Sequence, residues 1–136
     1  MTASVCAIVL AHDQPQFLQR VLADLKNQSV APTRVLIVDT SKQLAASSQG
    51  YEVLKLDSKT GFAQAIEKAV AHINPEGFLW ILHDDSAPDT RALENLLREV
   101  ELSPSLAIVG PKQVDWDNPR IIRQLGLTLT RGGKLF

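Results

Sequence analysis

Residues Phe78–Asp89 read FLWILHDDSAPD. A mostly apolar run, Phe78–Leu82, leads into a histidine, two adjacent aspartates and then a proline. Two readings fit this stretch. In the first, a buried strand stops at polar residues, and Asp84, Asp85, Ser86 or Asp89 caps the free N–H groups of a following helix. In the second, the strand end carries carboxylates that hold a metal-bound phosphate. The flanking sequence decides between them.

On both sides, apolar runs alternate with helical periodicity. Val5–Ala11 (VCAIVLA) is a continuous apolar run stopped by HDQP. From Pro15, which suits a first helical turn, the apolar residues Phe17, Leu18, Val21, Leu22 and Leu25 mark one face of a helix. Arg34–Asp39 (RVLIVD) is a second buried-type strand, and Tyr51–Leu56 (YEVLKL) alternates like a strand with one less buried side. Phe62, Ala65, Ile66, Ala69, Val70 and Ile73 mark the next helix, which the NPEG turn at Asn74–Gly77 ends. Another helix starts near Asp89, carries Ala92, Leu93, Leu96, Leu97 and Val100, and ends at Ser103 and Pro104. Leu106–Gly110 (LAIVG) reads as a fifth strand. The order predicts an α/β fold: a mostly parallel, Rossmann-like sheet with helices on both faces.

Such sheets bind ligands at the carboxyl ends of their strands, near a switch in strand order. The strand ends therefore form a search list: His12 and Asp13; Asp39; Asp57; and His83, Asp84 and Asp85. Asp13 and Asp57 also read as turn formers, His12 as a loop histidine and His72 as a helix-end histidine. Asp39 reads equally as a turn maker or as an acceptor for a base N–H or a ribose hydroxyl. Lys112, after the fifth run, reads as a solvated lysine or a phosphate contact, and Trp116, between Asp115 and Asp117, as a pocket wall or a hydrophobic plug. The tail has polar turns, a short strand expected at Leu127–Thr130 and a glycine pair. The sequence thus divides into an α/β core over residues 1–114 and the start of a further region over 115–136, expected to continue past Phe136. A sheet missing its closing elements is expected to self-associate through exposed apolar area or an open strand edge.

The 136 residues suffice for one domain with a sizeable core. A net charge of −1 implies no general attraction to nucleic acid or anionic lipid, so no nucleic-acid partner is expected. The single cysteine, Cys6, excludes an internal disulfide and a multi-cysteine zinc site, and it lies in an apolar run where a buried thiol is expected. No apolar run approaches the roughly 18 residues of a membrane span, and no export signal is present, so the expected location is cytoplasmic.

The chemistry of the strand ends is constrained by what is missing. Neither G-x-G-x-x-G nor G-x-x-x-x-G-K-[ST] occurs, so no backbone cradle for a pyrophosphate is predicted. Phosphates would instead be held through a divalent cation, Mg²⁺ or Mn²⁺, on hard oxygen ligands such as Asp85. Adjacent residues at a strand end diverge, so one of Asp84 and Asp85 is expected to bind the ion and the other to meet a sugar hydroxyl or bound water. A receiver-type signalling domain shares the doubly wound sheet, but its acidic pair would follow the first strand, whereas this one follows the fourth.

Taken in order, VCAIVLAHDQPQFLQRVLADLKNQSVAPTRVLIVDTS, TGFAQAIEKAV, FLWILHDDSAPDTRALENLL and AIVGPKQVDWDNPR resemble the amino-terminal half of a family 2 glycosyltransferase of the GT-A fold. The end of the chain, GPK through LGLTLTRGG, looks like large actinobacterial members whose full-length polypeptide attaches to the inner face of the cell membrane. The resemblance implies that Ala11, His12 and Asp39 hold the nucleoside of a nucleotide-sugar donor. It places the family's D-x-D motif on His83, Asp84 and Asp85, with Asp85 as the metal ligand. His83 stands where the family has an aspartate that touches the ribose or metal-bound water. Gly61 matches the glycine of N-x-G-x-x-x-x-x-N, with Lys59 and Glu67 in place of its asparagines.

The implied reaction is an inverting transfer of sugar from a nucleoside-diphosphate sugar to the hydroxyl of a glycan, lipid-linked or other acceptor. A carboxylate serving as general base is expected beyond Phe136. Glu94, Glu99 and Glu101 lie too far along the third helix to replace it. A non-catalytic nucleotide-binding or assembly domain keeping the same fold is the alternative, motivated by Lys59, Glu67 and His83. A nucleotidyltransferase is remoter, because basic residues for a triphosphate are scarce outside Lys112.

Overall fold

The computed structural model describes residues 3–43 and 48–126, so the strand expected at Leu127–Thr130 and the glycine pair lie outside the described residues. The chain divides into two compact units, Met1–Glu94 and Asn95–Phe136. The first unit holds a four-stranded, wholly parallel sheet: β1 (Val5–Ala11), β2 (Arg34–Asp39), β3 (Glu52–Lys55) and β4 (Phe78–His83), in the order β3-β2-β1-β4. Helix α1 (Pro15–Lys26) links β1 to β2, and α2 (Phe62–Ile73) links β3 to β4. The two crossovers step in opposite directions along the sheet. Parallel crossovers are right-handed, so α1 and α2 cover opposite faces, as the sequence pattern requires.

Burial follows that sandwich. On the α2 face, Cys6, Ile8, Leu36 and Val38 pack with Ala65, Ala69 and Ile73. On the other face Val5, Ala7, Val9 and Ile37 are buried too, and so are Leu18, Val21, Leu22 and Leu25 of α1. Two buried faces explain why β1 and β2 read as unbroken apolar runs. Burial also pushes the Cys6 thiol pKa up, which marks it as an inert core group. Leu36, fully buried, is expected to cost about 2–5 kcal/mol on replacement by alanine, read by chemical denaturation.

Helix α3 (Ala92–Leu102) begins three residues past the expected Asp89. Asp89 shapes the preceding turn: its Oδ1 accepts the Arg91 N–H at 2.9 Å, and its carbonyl accepts the Ala92 N–H at 2.9 Å. Gln28 then ties this turn to the end of α1, donating to the Asp89 carbonyl at 2.7 Å and accepting the Leu93 N–H at 3.1 Å. Ser86 caps no helix, because its hydroxyl turns back to the His83 carbonyl at 2.6 Å.

The expected fifth strand does not form. Leu106–Gly110 joins no ladder among the described residues, and Ile108 is 88% exposed. A short apolar run becomes a strand only where a neighbouring edge accepts its backbone hydrogen bonds, and none does here. In the second unit the short antiparallel pair β5 (Gln113–Val114) and β6 (Ile122–Gln124) closes a turn around Asp115. The Asp115 Oδ1 accepts the N–H groups of Asp117 (3.0 Å) and Asn118 (2.9 Å), and Arg123 pairs with its Oδ2. Arg123 and these backbone bonds hold the Asp115 carboxyl below the usual carboxylate range. Among the described residues no helix is long and apolar enough to cross a membrane.

Candidate donor site at the strand switch point

The strand order reverses between β1 and β4, and most of the predicted residues converge there. Register fixes their places: Ala11 lies opposite Asp39, Asp39 opposite Lys55, and Leu10 opposite His83. Strand alternation sends Leu10 and His83 toward the α2 face, and Ala11, Asp39 and Lys55 toward the other. Beyond His83, the Asp84 N–H donates to the Leu10 carbonyl at 3.0 Å, which extends the ladder one residue past β4.

Asp84 is buried, and its Oδ2 accepts the His12 backbone N–H at 2.8 Å. Its carboxylate therefore bridges the ends of β1 and β4 across the switch point. The His12 ring is fixed by Thr40. The Thr40 hydroxyl donates to the Ala11 carbonyl at 3.1 Å and sits 2.9 Å from His12 Nδ1. With its one proton spent on that carbonyl, the hydroxyl accepts from Nδ1–H. His12 is exposed, held at its backbone N–H by Asp84 and at its ring by Thr40.

Asp39 is 2% exposed, and its carboxylate is engaged on both oxygens. Oδ1 accepts the Ser41 N–H at 2.8 Å and the Ser41 hydroxyl at 2.5 Å, while Oδ2 accepts from Lys55 Nζ at 3.0 Å. Of the two expectations for Asp39, the turn maker is the one these bonds express: its carboxylate shapes the turn after β2. Sequence reasoning missed Lys55, Ser41 and Thr40. The one signal for Lys55 was its position ending an alternating run, on the side that read as solvated.

His83 and Phe62 stack with ring centroids 5.0 Å apart and planes 10° from parallel. Phe62, expected on the buried face of α2, is instead 50% exposed and supports the imidazole at the helix start. Gly61, the N-cap residue of α2, has φ −70° and ψ 162°, and a Cβ there would meet nothing within 4 Å. Neither backbone conformation nor packing within the protein demands glycine at 61. The cap has no side-chain hydrogen bond, so the first N–H groups of α2 receive none from residue 61.

Asp85 differs from every other strand-end carboxylate. Asp57 accepts the Lys59 N–H at 2.8 Å as a turn former, whereas Asp13 accepts the Lys42 N–H at 2.9 Å and ties the loop after β1 to the loop after β2. Asp39 and Asp84 are internally bonded, whereas Asp85 is exposed and bonds to no described residue. Among the described residues no group of three or more metal-ligating side chains occurs. One unengaged carboxylate matches a cation that takes most of its ligands from phosphate and water, as Mg²⁺ commonly does.

Comparison with known proteins agrees with this architecture. Residues 6–134 match the family described as Glycosyl transferase family 2. The galactofuranosyltransferase GlfT1 of Mycobacterium tuberculosis is 31% identical over 144 residues, in both strains CDC 1551 and H37Rv. That match covers 97% of this chain and 46% of GlfT1, so the chain spans about half the length of the curated relatives it matches. Among solved structures, TarS of S. aureus superposes with a TM-score of 0.56 at 18% identity, covering 73% of this chain and 20% of TarS. A second TarS structure, of residues 1–349, gives 0.55 at 16% identity and covers 73% and 32%. At those identities the likeness establishes the fold alone, which is the GT-A glycosyltransferase fold. With nearly its whole length matched, this chain belongs to glycosyl transferase family 2.

Proposed function

We propose that this chain is the donor-binding part of an inverting glycosyltransferase, which moves a sugar from a nucleoside-diphosphate sugar to an acceptor hydroxyl with the help of Mg²⁺ or Mn²⁺. One observation carries the reading. At the switch point, His12, Asp39 and Asp84 are locked by protein hydrogen bonds, while Asp85 alone keeps an unengaged carboxylate beside them in sequence. The locked groups present fixed acceptors to a nucleoside. Asp85 would hold the cation, which offsets charge on the departing diphosphate when bound. In this reading the acceptor is a hydroxyl of a glycan, lipid-linked or other molecule, the general base is a carboxylate outside the described residues, and the site acts on the cytoplasmic side.

Calorimetry on the full-length protein tests this with UDP, GDP, CDP and dTDP. At least one should bind more tightly with MnCl₂ or MgCl₂ present than with EDTA; no metal-dependent binding to any of them would sink the proposal. A second reading, a binding domain without transferase activity, is favoured by Lys59, Glu67 and His83. It predicts nucleotide binding without sugar transfer in the same preparations.

Gly61 supplies a further check. Serine is at least as good as glycine at a helix N-cap, and the site has room for its Cβ. Gly61→Ser should therefore keep or raise the melting temperature while weakening diphosphate binding about tenfold, because a ligand can approach glycine backbone more closely. Unchanged binding would show that glycine is not needed there for a ligand.

A further inference from the structure

Asp39 is a buried carboxylate at the end of β2, and burying such a charge is costly unless it is paired and hydrogen-bonded. Its charge partner comes from the edge strand. Lys55 ends β3 directly opposite Asp39 in the parallel ladder, and its ammonium lies 3.0 Å from Oδ2. The same ammonium donates to the Ser41 carbonyl and lies 3.5 Å from the Ser41 hydroxyl. An ammonium has three donors, and these protein contacts use two of them at short range and face the third. Lys55 is thus spent on the protein although its side chain is 47% exposed.

The acceptor count on Asp39 follows. A carboxylate offers about four lone-pair directions. Ser41 takes two on Oδ1 and Lys55 takes one on Oδ2, which leaves one. The clamp also closes the segment after β2, because Ser41 is bonded on its N–H, hydroxyl and carbonyl, and the neighbouring Lys42 N–H is bonded to Asp13.

Building on the donor-site reading above, we propose that Lys55 is a positioning residue for nucleoside recognition. It fixes the Asp39 carboxylate and the Thr40–Ser41 turn so that Asp39 offers a single acceptor direction, on Oδ2, to one N–H or O–H of the ligand. Lys55 acts through Asp39 and makes no ligand contact of its own.

The test uses the full-length protein and whichever of UDP, GDP, CDP or dTDP binds most tightly with MnCl₂. Lys55→Met should weaken binding about tenfold, a change of about 1.4 kcal/mol, while Lys55→Arg stays within about threefold because a guanidinium also donates to a carboxylate. In an Asp39→Asn background, Lys55→Met should change binding by less than about twofold, since the group it acts through is gone. Amide hydrogen exchange gives a readout independent of ligand: the Ser41 N–H should exchange about tenfold faster in Lys55→Met, with β1 amides unchanged. Equal weakening in both backgrounds would mean direct contact or a general loss of structure and would overturn the proposal, as would unchanged Ser41 exchange. A protein that binds none of the four nucleotides overturns the donor-site reading and the ligand-facing role together. The exchange result then shows separately whether Lys55 holds the turn.

Discussion

Asp85→Ala should remove the metal-dependent gain in nucleoside-diphosphate binding and lower sugar transfer by the full-length protein about 10²- to 10³-fold, the range for losing one group that stabilises developing charge. The expectation rests on how the other carboxylates are used. Asp39 is held by Ser41 and Lys55, Asp84 by His12, Asp13 by Lys42 and Asp57 by Lys59. None of these can turn freely to a cation while it keeps the bond that shapes the site. Asp85 can, because it is exposed and bonds to no described residue. For the same reason its removal should leave stability within about 0.5 kcal/mol, as for surface substitutions generally. Parallel titrations with MnCl₂ and with EDTA separate the effects: the EDTA curve should be unchanged, and the MnCl₂ curve should collapse onto it. A metal gain that survives in Asp85→Ala would remove Asp85 from the cation site.

Much of this arrangement is legible in the sequence, for physical reasons that also explain the failures. Val5–Ala11 and Arg34–Asp39 form central parallel strands buried on both faces, which is why they read as unbroken apolar runs. Leu106–Gly110 is a similar apolar run but pairs with no strand among the described residues, and local pattern carries no information about a distant edge. The strand-end rule singled out His12, Asp39, Asp84 and Asp85 as candidates, but it could not say which were engaged within the protein. That depends on register. Leu10 pairs with His83, so the next residue, Asp84, is the one whose N–H reaches the Leu10 carbonyl and whose carboxylate reaches His12. Lys55 stayed hidden because an edge strand alternates polar and apolar residues whether its lysine faces water or a buried carboxylate. Phe62 fell on the helical apolar stripe, and its stacking on His83 arises only because β4 ends beside the start of α2.

Asp84→Ala should behave as the opposite of Asp85→Ala, costing stability first and ligand binding as a consequence. Asp84 is 8% exposed, and its carboxylate is the side-chain acceptor for the His12 N–H, in a charge-assisted bond of 2.8 Å. Truncation strands that part-buried donor at the switch point, which costs about 1–3 kcal/mol. Asp84→Asn keeps a carbonyl oxygen in the same place, so it should recover most of the loss while removing the charge. Melting temperatures should therefore fall by several degrees for the alanine variant and by much less for the asparagine variant. Binding in EDTA carries the mechanistic content. If Asp84 serves by holding His12, the alanine variant should weaken nucleoside-diphosphate binding without metal, where Asp85→Ala does nothing, and the asparagine variant should bind nearly as the parent does. An Asp84→Asn protein that is stable yet loses only the metal-dependent gain would reverse the assignment. It would make Asp84 a direct partner of the cation and its bond to His12 secondary.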